Sequence, residues 1–151
     1  MKYLILSFVF VFTIMNTTNA QNAELEYQRR IKKERINGVY IPADLAECFS
    51  ELNKKISKES KAKFMKMDEV TASKGLHFSL GRWIWHNWSF YEGSRLSVYM
   101  NKVRVNHPED MAQVILITYH RYLNKKPLDV KALTIMIREA RDKERERLKR
   151  N

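Results

Sequence analysis

Cysteine is almost absent from this sequence, since Cys48 is the only one in 151 residues. An internal disulfide is therefore impossible, and so is a metal site built from several cysteines. The fold has to rest on an apolar core instead. Cys48 lies on the apolar stripe of a predicted helix, where a free cysteine usually acts as a small buried hydrophobic residue rather than as a reactive thiol.

Glycine and proline are also scarce, with four and three residues. The glycines are scattered over positions 38, 75, 81 and 93, so the chain has no glycine-rich loop that could cradle a phosphate. It has no HExxH pair of metal ligands and no GxSxG nucleophile turn. The sequence therefore assigns no catalytic residue, no metal ligand and no cofactor.

Only one long apolar run is present, Tyr3–Met15, and it follows Lys2 near the start. It is shorter than the roughly 20 residues that cross a membrane. Small residues stand at Thr18 and Ala20, the −3 and −1 positions of a cleavage after Ala20. This layout is typical of a secretory signal peptide rather than an uncleaved anchor helix. We expect residues 1–20 to be removed and the protein to be exported to the periplasm or secreted, with no transmembrane span after cleavage.

Positive charge dominates, with a formal net charge of +11. A basic exported protein could meet an anionic partner such as lipid head groups, acidic polysaccharide or nucleic acid, although lysines also simply keep a domain soluble. The same two interpretations apply to the six lysines between Lys54 and Lys66. Acidic residues interrupt the bases of the C-terminal segment throughout, which disfavours a nucleic-acid arm.

The spacing of apolar residues predicts helices and no convincing sheet. A charged lead-in over residues 21–36 precedes a turn at Asn37-Gly38, a helical domain over residues 37–138 and a charged helical tail over residues 139–151. Residues suited to helix starts recur along the chain: Pro42, Ser57, Ser94, Pro108 and Asp129. We predict an all-α fold, a compact bundle of five to six helices.

The stretch Leu76–Tyr99 contains all three tryptophans and is predicted to be the centre of the packing. Gly81 falls inside its helix, which is tolerable if another helix approaches closely. The helix after Pro108 is apolar over most of its circumference, so it should be central and pack against the tryptophan helix.

Five motifs stand in a characteristic order: LxECFxEL from Leu45, HFSLGRWI from His77, EGSRLSxY from Glu92, HPEDM from His107 and YHRYLNxK from Tyr119. In this order they resemble a family of small bacterial proteins catalogued as a domain of unknown function, over about residues 36–126. The resemblance implies a bacterial helical domain and supplies no activity, substrate or catalytic residue.

A recognition surface is the better candidate for function, because arginine, tryptophan and tyrosine are enriched at binding hot spots. The candidate residues combine aromatic planes with hydrogen-bonding tips: Arg82, Trp85, His86, Asn87, Tyr91, Arg95, His107 and His120. The structural alternative is that Trp83 and Trp88 fill the core while Arg82 and Arg95 form ion pairs with Glu92 or Asp110.

We therefore predict a non-enzymatic binding module for a partner protein or an anionic envelope component, for instance an inhibitor-like or immunity-like protein. The alternative is a small hydrolase or metal-dependent enzyme that uses His107, Asp110 and His120. A third hypothesis is a cationic binder of nucleic acid or lipid, whose affinity would fall steeply with salt.

Overall fold

The computed structural model describes residues 20–150, so the predicted signal peptide lies outside the described residues except for Ala20. The all-α prediction is confirmed, with a finer division of the chain than expected. Residues 20–30 are helical and are called α1 here. The later elements are β1 (Arg35–Ile36), β2 (Val39–Tyr40), α2 (Leu45–Lys55), α3 (Lys58–Lys66), α4 (Glu69–Leu76), a π-helical turn (His77–Gly81), α5 (Arg82–Asn87), α6 (Arg95–Lys102), α7 (Pro108–Leu123) and α8 (Val130–Lys149).

The predicted turn at Asn37-Gly38 joins two short antiparallel strands. Both residues have positive φ, 50° and 78°, and Ile36 pairs with Val39 directly across the turn. Two successive left-handed residues are what a tight two-residue hairpin requires, and Asn-Gly is its preferred sequence. The hairpin brings the chain to Ile41, which is fully buried.

Most predicted helix starts are confirmed. The Ser57 and Ser94 side chains accept hydrogen bonds from the backbone N–H groups three residues later, and Pro108 is the first residue of α7. Such side chains satisfy N–H groups that have no partner within the first turn of a helix.

Two helix starts differ from the prediction. Helix α2 begins at Leu45 rather than at Pro42, because Asp44 accepts a hydrogen bond from the N–H of Glu47 and caps the helix there. Asp129 precedes α8 as predicted, but it has left-handed φ of 50° and its side chain makes no capping bond.

Helix α7 is the central element. Ten of its residues are buried, including Val114, Leu116 and Tyr119, and it contacts α2, α3, α4, α5, α6, α8 and the π-helical turn. The sequence-based expectation of a central helix that packs against the tryptophan segment is confirmed. Among residues 20–150, no helix is both long enough and apolar enough to cross a membrane.

The helix that carries the tryptophans contains a π-helical turn, and α4, this turn and α5 follow one another without a break from Glu69 to Asn87. The π-helical turn separates α4 from α5 and changes the angular phase of the side chains that follow. Ile84 and Trp88 are fully buried. A Cβ atom on Gly81 would lie 3.4 Å from Leu116 Cδ1 of α7, so the expected close approach of a second helix is present.

Three helices end in the same way, with a non-glycine residue in the left-handed conformation: Ser89 after α5, Arg104 after α6 and Lys125 after α7. After α6, the N–H of Arg104 bonds to the carbonyl of Asn101 and the N–H of Val105 bonds to that of Met100. This pair of bonds is the Schellman motif, whose left-handed position is usually glycine. Because the sequence has few glycines, other residues occupy these left-handed positions at the helix ends.

Candidate recognition surfaces

The eight predicted binding residues do not form one surface. Arg82, Trp85, His86 and Asn87 lie on α5, whereas Arg95 begins α6. The others are distributed over the loop before α6, the start of α7 and its C-terminal half: Tyr91, His107 and His120. His120 comes thirteen positions after His107, which corresponds to about 20 Å along the axis of α7.

Arg95 of α6 connects the end of the hairpin to α2. Its Nε donates to the carbonyl of Ile41 at 2.7 Å, and its Nη2 donates to Glu47 Oε2 at 3.2 Å. Its guanidinium carbon lies 5.0 Å from the centre of the Tyr40 ring. The suggested ion pairs of Arg95 with Glu92 or Asp110 are wrong, because Glu47 is its nearest acidic partner.

Glu47 is the shared acceptor of this network. It accepts hydrogen bonds from the Ala43 N–H and the Tyr40 hydroxyl, both at 2.8 Å. These two bonds, together with the Arg95 charge, lower the pKa of Glu47 below its ordinary value. The carboxylate form therefore stabilises the junction of the hairpin, α2 and α6.

His120 is buried, with 2% of its surface exposed. Its Nε2–H donates to the carbonyl of Met67 at 3.0 Å, since a carbonyl oxygen can only accept. The Phe64 ring packs against it edge-on at 5.1 Å. His120 thus holds the α3–α4 connection against α7, and a ligand in solvent cannot reach it.

Asp110 is held by Arg141 of α8 through two hydrogen bonds, of 2.5 and 2.7 Å. A carboxylate engaged in this way is a poor candidate for a free acid or base, and His120 lies far along α7. The hydrolase set of His107, Asp110 and His120 is therefore not brought together. Within residues 20–150, no group of three or more histidine, cysteine, aspartate or glutamate side chains is placed to hold a metal ion.

Cys48 is fully buried on α2. Burial, followed by the charges of Asp44 and Glu47, raises the pKa of its thiol well above the ordinary value. The expected role as a small core residue is confirmed, because a thiol that keeps its proton is a weak nucleophile.

The π-helical turn carries an aromatic cluster in which Phe78 is exposed, whereas His77 and Trp85 are half-buried. Phe78 is 81% exposed, more than any other large apolar side chain in the described part of the chain. The His77 ring lies 5.1 Å from the Phe78 ring and 5.3 Å from the Trp85 ring. We call His77, Phe78 and Trp85 the aromatic face; Arg82 and His86, both exposed, lie on the adjoining helix.

Asn87 and Tyr91 differ in how far they are available for binding. The Asn87 side-chain amide donates to the carbonyl of Trp83 at 2.9 Å, one turn earlier in the chain, so it is partly used within α5. The Tyr91 ring is 61% exposed in the loop before α6.

A second surface, which the sequence did not reveal, lies between the end of α6 and α8. It is a depression of about 590 Å³. Four cationic side chains line it, which together we call the basic pocket: Lys102, Arg104, Lys131 and Arg138. Its apolar walls come from Val103, Val130 and Ile135.

The basic pocket contains no acidic side chain in its lining. Its four cations form no ion pair among the described residues, in contrast to Arg95, Arg121 and Arg141. A smaller cavity of about 310 Å³ adjoins it and shares Arg104 and Arg138. His107 lines that cavity, and its buried Nδ1 has no hydrogen-bond partner.

One sequence signal could have indicated this pocket. Lys131 and Arg138 are seven residues apart, which places them on one face of a helix. The contribution of Lys102 and Arg104 could not have been foreseen, because it depends on how the α6–α7 connection folds against α8.

Fold and surfaces together define a small helical domain with an aromatic face around the exposed Phe78 and a separate basic pocket. The family model described as "Domain of unknown function (DUF6794)" matches residues 41–123, more than half of the chain, and the chain belongs to this family. The match runs from Ile41 to the end of α7 and ends before α8. Comparisons with curated proteins and with solved structures found no match.

Proposed function

We propose that this protein is an exported, non-enzymatic binding module that captures a partner protein through its aromatic face. The observation that carries the proposal is the exposure of Phe78, which stands on a π-helical turn beside His77 and Trp85. An exposed phenylalanine loses apolar contacts that a core position would give it, whereas a partner surface can bury it.

The position of this face supports the proposal. Single-turn π-helical insertions occur frequently at functional sites, since they redirect side chains at the expense of regular hydrogen bonding. Arg82 and His86 add polar groups beside the rings, and a hydrophobic centre with a polar rim is the usual composition of a protein interface.

The decisive experiment compares Phe78→Ala with Leu148→Ala, a matched change at an apolar side chain that is 63% exposed on α8. Each variant of the chain from Gln21 to Asn151 is used as bait for an envelope fraction at moderate salt. We expect Phe78→Ala to unfold at the same midpoint as wild type and to lose the captured partner, while Leu148→Ala retains it. Equal capture by the two variants would refute the aromatic face as the binding site.

Export is tested separately by the intact mass of the protein recovered outside the cytoplasm. We expect a chain that begins at Gln21, because the motif around Thr18 and Ala20 favours cleavage there. Recovery of the full-length chain from the membrane would instead support an uncleaved anchor.

A further inference from the structure

We propose that the basic pocket between α6 and α8 binds a phosphate ester, with the phosphate on its cations and an apolar part of the ligand on Val103 and Ile135. The site is distinct from the aromatic face and does not depend on the function proposed for it. Its volume of about 590 Å³ lies within the range typical of small-molecule sites.

The charge of the pocket indicates a ligand with more than one negative charge. Lys102, Arg104, Lys131 and Arg138 line the pocket without an acidic neighbour in its lining. Like charges held together repel one another, and an anion placed among them relieves that repulsion. A phosphate ester supplies several acceptor oxygens, and a guanidinium binds two of them at once.

The apolar wall distinguishes this pocket from a generally basic surface. Val103 and Val130 are half-buried, and Ile135 is 39% exposed beside Arg138. Phosphate alone would not contact these side chains. The combination fits either a phospholipid headgroup with part of its acyl chains or a soluble phosphate ester with an apolar substituent.

The backbone at Arg104 allows a test that separates binding from folding. Arg104 has φ of 65° in the Schellman motif after α6, and Lys125 has φ of 55° in the equivalent position after α7. Glycine adopts this conformation without steric strain. Arg104→Gly and Lys125→Gly therefore each remove one positive charge from a residue with the same left-handed backbone conformation. Both substitutions should raise the midpoint of thermal unfolding. Only the first removes a cation of the pocket.

The probes are inorganic phosphate and phenyl phosphate, measured by calorimetry, and phosphatidylcholine vesicles with or without phosphatidic acid, measured by co-sedimentation. We expect wild type to bind a phosphate probe and Arg104→Gly to weaken that binding about tenfold or more, as expected for the loss of a charge-assisted hydrogen bond. Lys125→Gly should bind like wild type. Arg138→Gln should also weaken binding, and Lys143→Gln, an exposed position on the same helix, should not.

Binding to the phosphatidic acid vesicles alone would assign the site to a lipid headgroup, whereas binding to phenyl phosphate would assign it to a soluble ester with an apolar substituent. Either result with the expected variant pattern supports the proposal. It would be overturned if no phosphate probe bound, or if Lys125→Gly and Lys143→Gln weakened binding as much as the pocket variants, because the effect would then come from net charge.

Discussion

At the scale of single residues, Gly93 is the position where a side chain is least tolerable. Its φ is 90°, and a Cβ atom there would lie 2.4 Å from Cε2 of Tyr27 in α1. We expect Gly93→Ala to lower the free energy of unfolding by about 2 kcal/mol or more, combining the strain of positive φ with the clash. Chemical denaturation monitored by tryptophan fluorescence measures this.

The contribution of the clash can be isolated with Tyr27→Ala. If the Tyr27 ring packs over Gly93, the Gly93→Ala change should destabilise the Tyr27→Ala background less than it destabilises wild type, because only the backbone strain is left. The same loss in both backgrounds would mean that α1 does not rest on this loop in solution.

Lys125 shows how the chain closes a helix without glycine. Its N–H bonds to the carbonyl of Tyr122 in the left-handed turn after α7. We expect Lys125→Gly to increase the free energy of unfolding by up to about 1 kcal/mol, since glycine avoids the steric penalty of that conformation. Lys126→Gly, next to it but without positive φ, should be neutral or destabilising. A gain at both positions would point to charge rather than to backbone conformation.

At the scale of elements, Arg95 and Glu47 join the hairpin, α2 and α6. The pKa of Glu47 is lower in the folded protein than its ordinary value of 4.5. The stabilisation is therefore complete above about pH 4.5 and is lost as the pH falls through the lower folded pKa. Because the Glu47 side chain is 41% exposed, we expect Glu47→Gln to lose only about 0.5–1 kcal/mol at neutral pH.

Denaturation at several pH values checks this prediction. The difference in stability between wild type and Glu47→Gln should shrink as the pH falls below 4.5. Glu92→Gln is the control, because Glu92 is exposed and has no ion-pair partner among the described residues. If the free energies of unfolding of wild type and Glu47→Gln differed by the same amount over the whole acid range, the role assigned to Glu47 would be contradicted.

The elements that the sequence predicted well are those defined by local chemistry. Ser57, Ser94 and Pro108 mark helix starts through their own side chains or ring, and Asn37-Gly38 defines a turn in two residues. The π-helical turn could not be read from the sequence, because its apolar spacing also fits one continuous α-helix. The turn packs against α7, and no local sequence pattern encodes this long-range contact.

The candidate sites show the same difference between what local sequence predicts and what depends on packing. Residue type drew attention to the tryptophan segment, but residue type does not predict which of its aromatic rings are exposed. Phe78 was not among the predicted binding residues, although it is the most exposed of the large apolar side chains described. Arg95 has the composition of a hot spot but is used within the fold. The basic pocket joins residues about 30 positions apart, so it exists only once α6 and α8 are placed together.

At the scale of the whole molecule, α8 continues the core beyond the family match. Leu133, Thr134 and Ile137 are buried against the rest of the domain, and Arg141 reaches Asp110 of α7. Burying Leu133 and Ile137 contributes about 1.5–3 kcal/mol each. The sequence predicted a helical domain up to residue 138 and a charged helical tail over residues 139–151. Helix α8 runs through this boundary without interruption, and Arg141 makes its last ion pair with α7 among the described residues.

The ion pairs of α8 predict where the folding unit ends. Beyond Asp142, the ion pairs of the described chain join neighbouring turns of α8 itself, such as Arg147 with Glu144. A chain that ends at Asp142 should therefore lose little stability, whereas one that ends at Arg138 leaves the buried Asp110 without Arg141 and should lose about 1–3 kcal/mol more.

Arg141→Gln in the full chain should reproduce most of that loss, because it removes the ion pair and leaves α8 at its full length. Equal stability of the two truncated chains would show that the Arg141–Asp110 pair does not hold α8 to α7, and that Leu133 and Ile137 are sufficient.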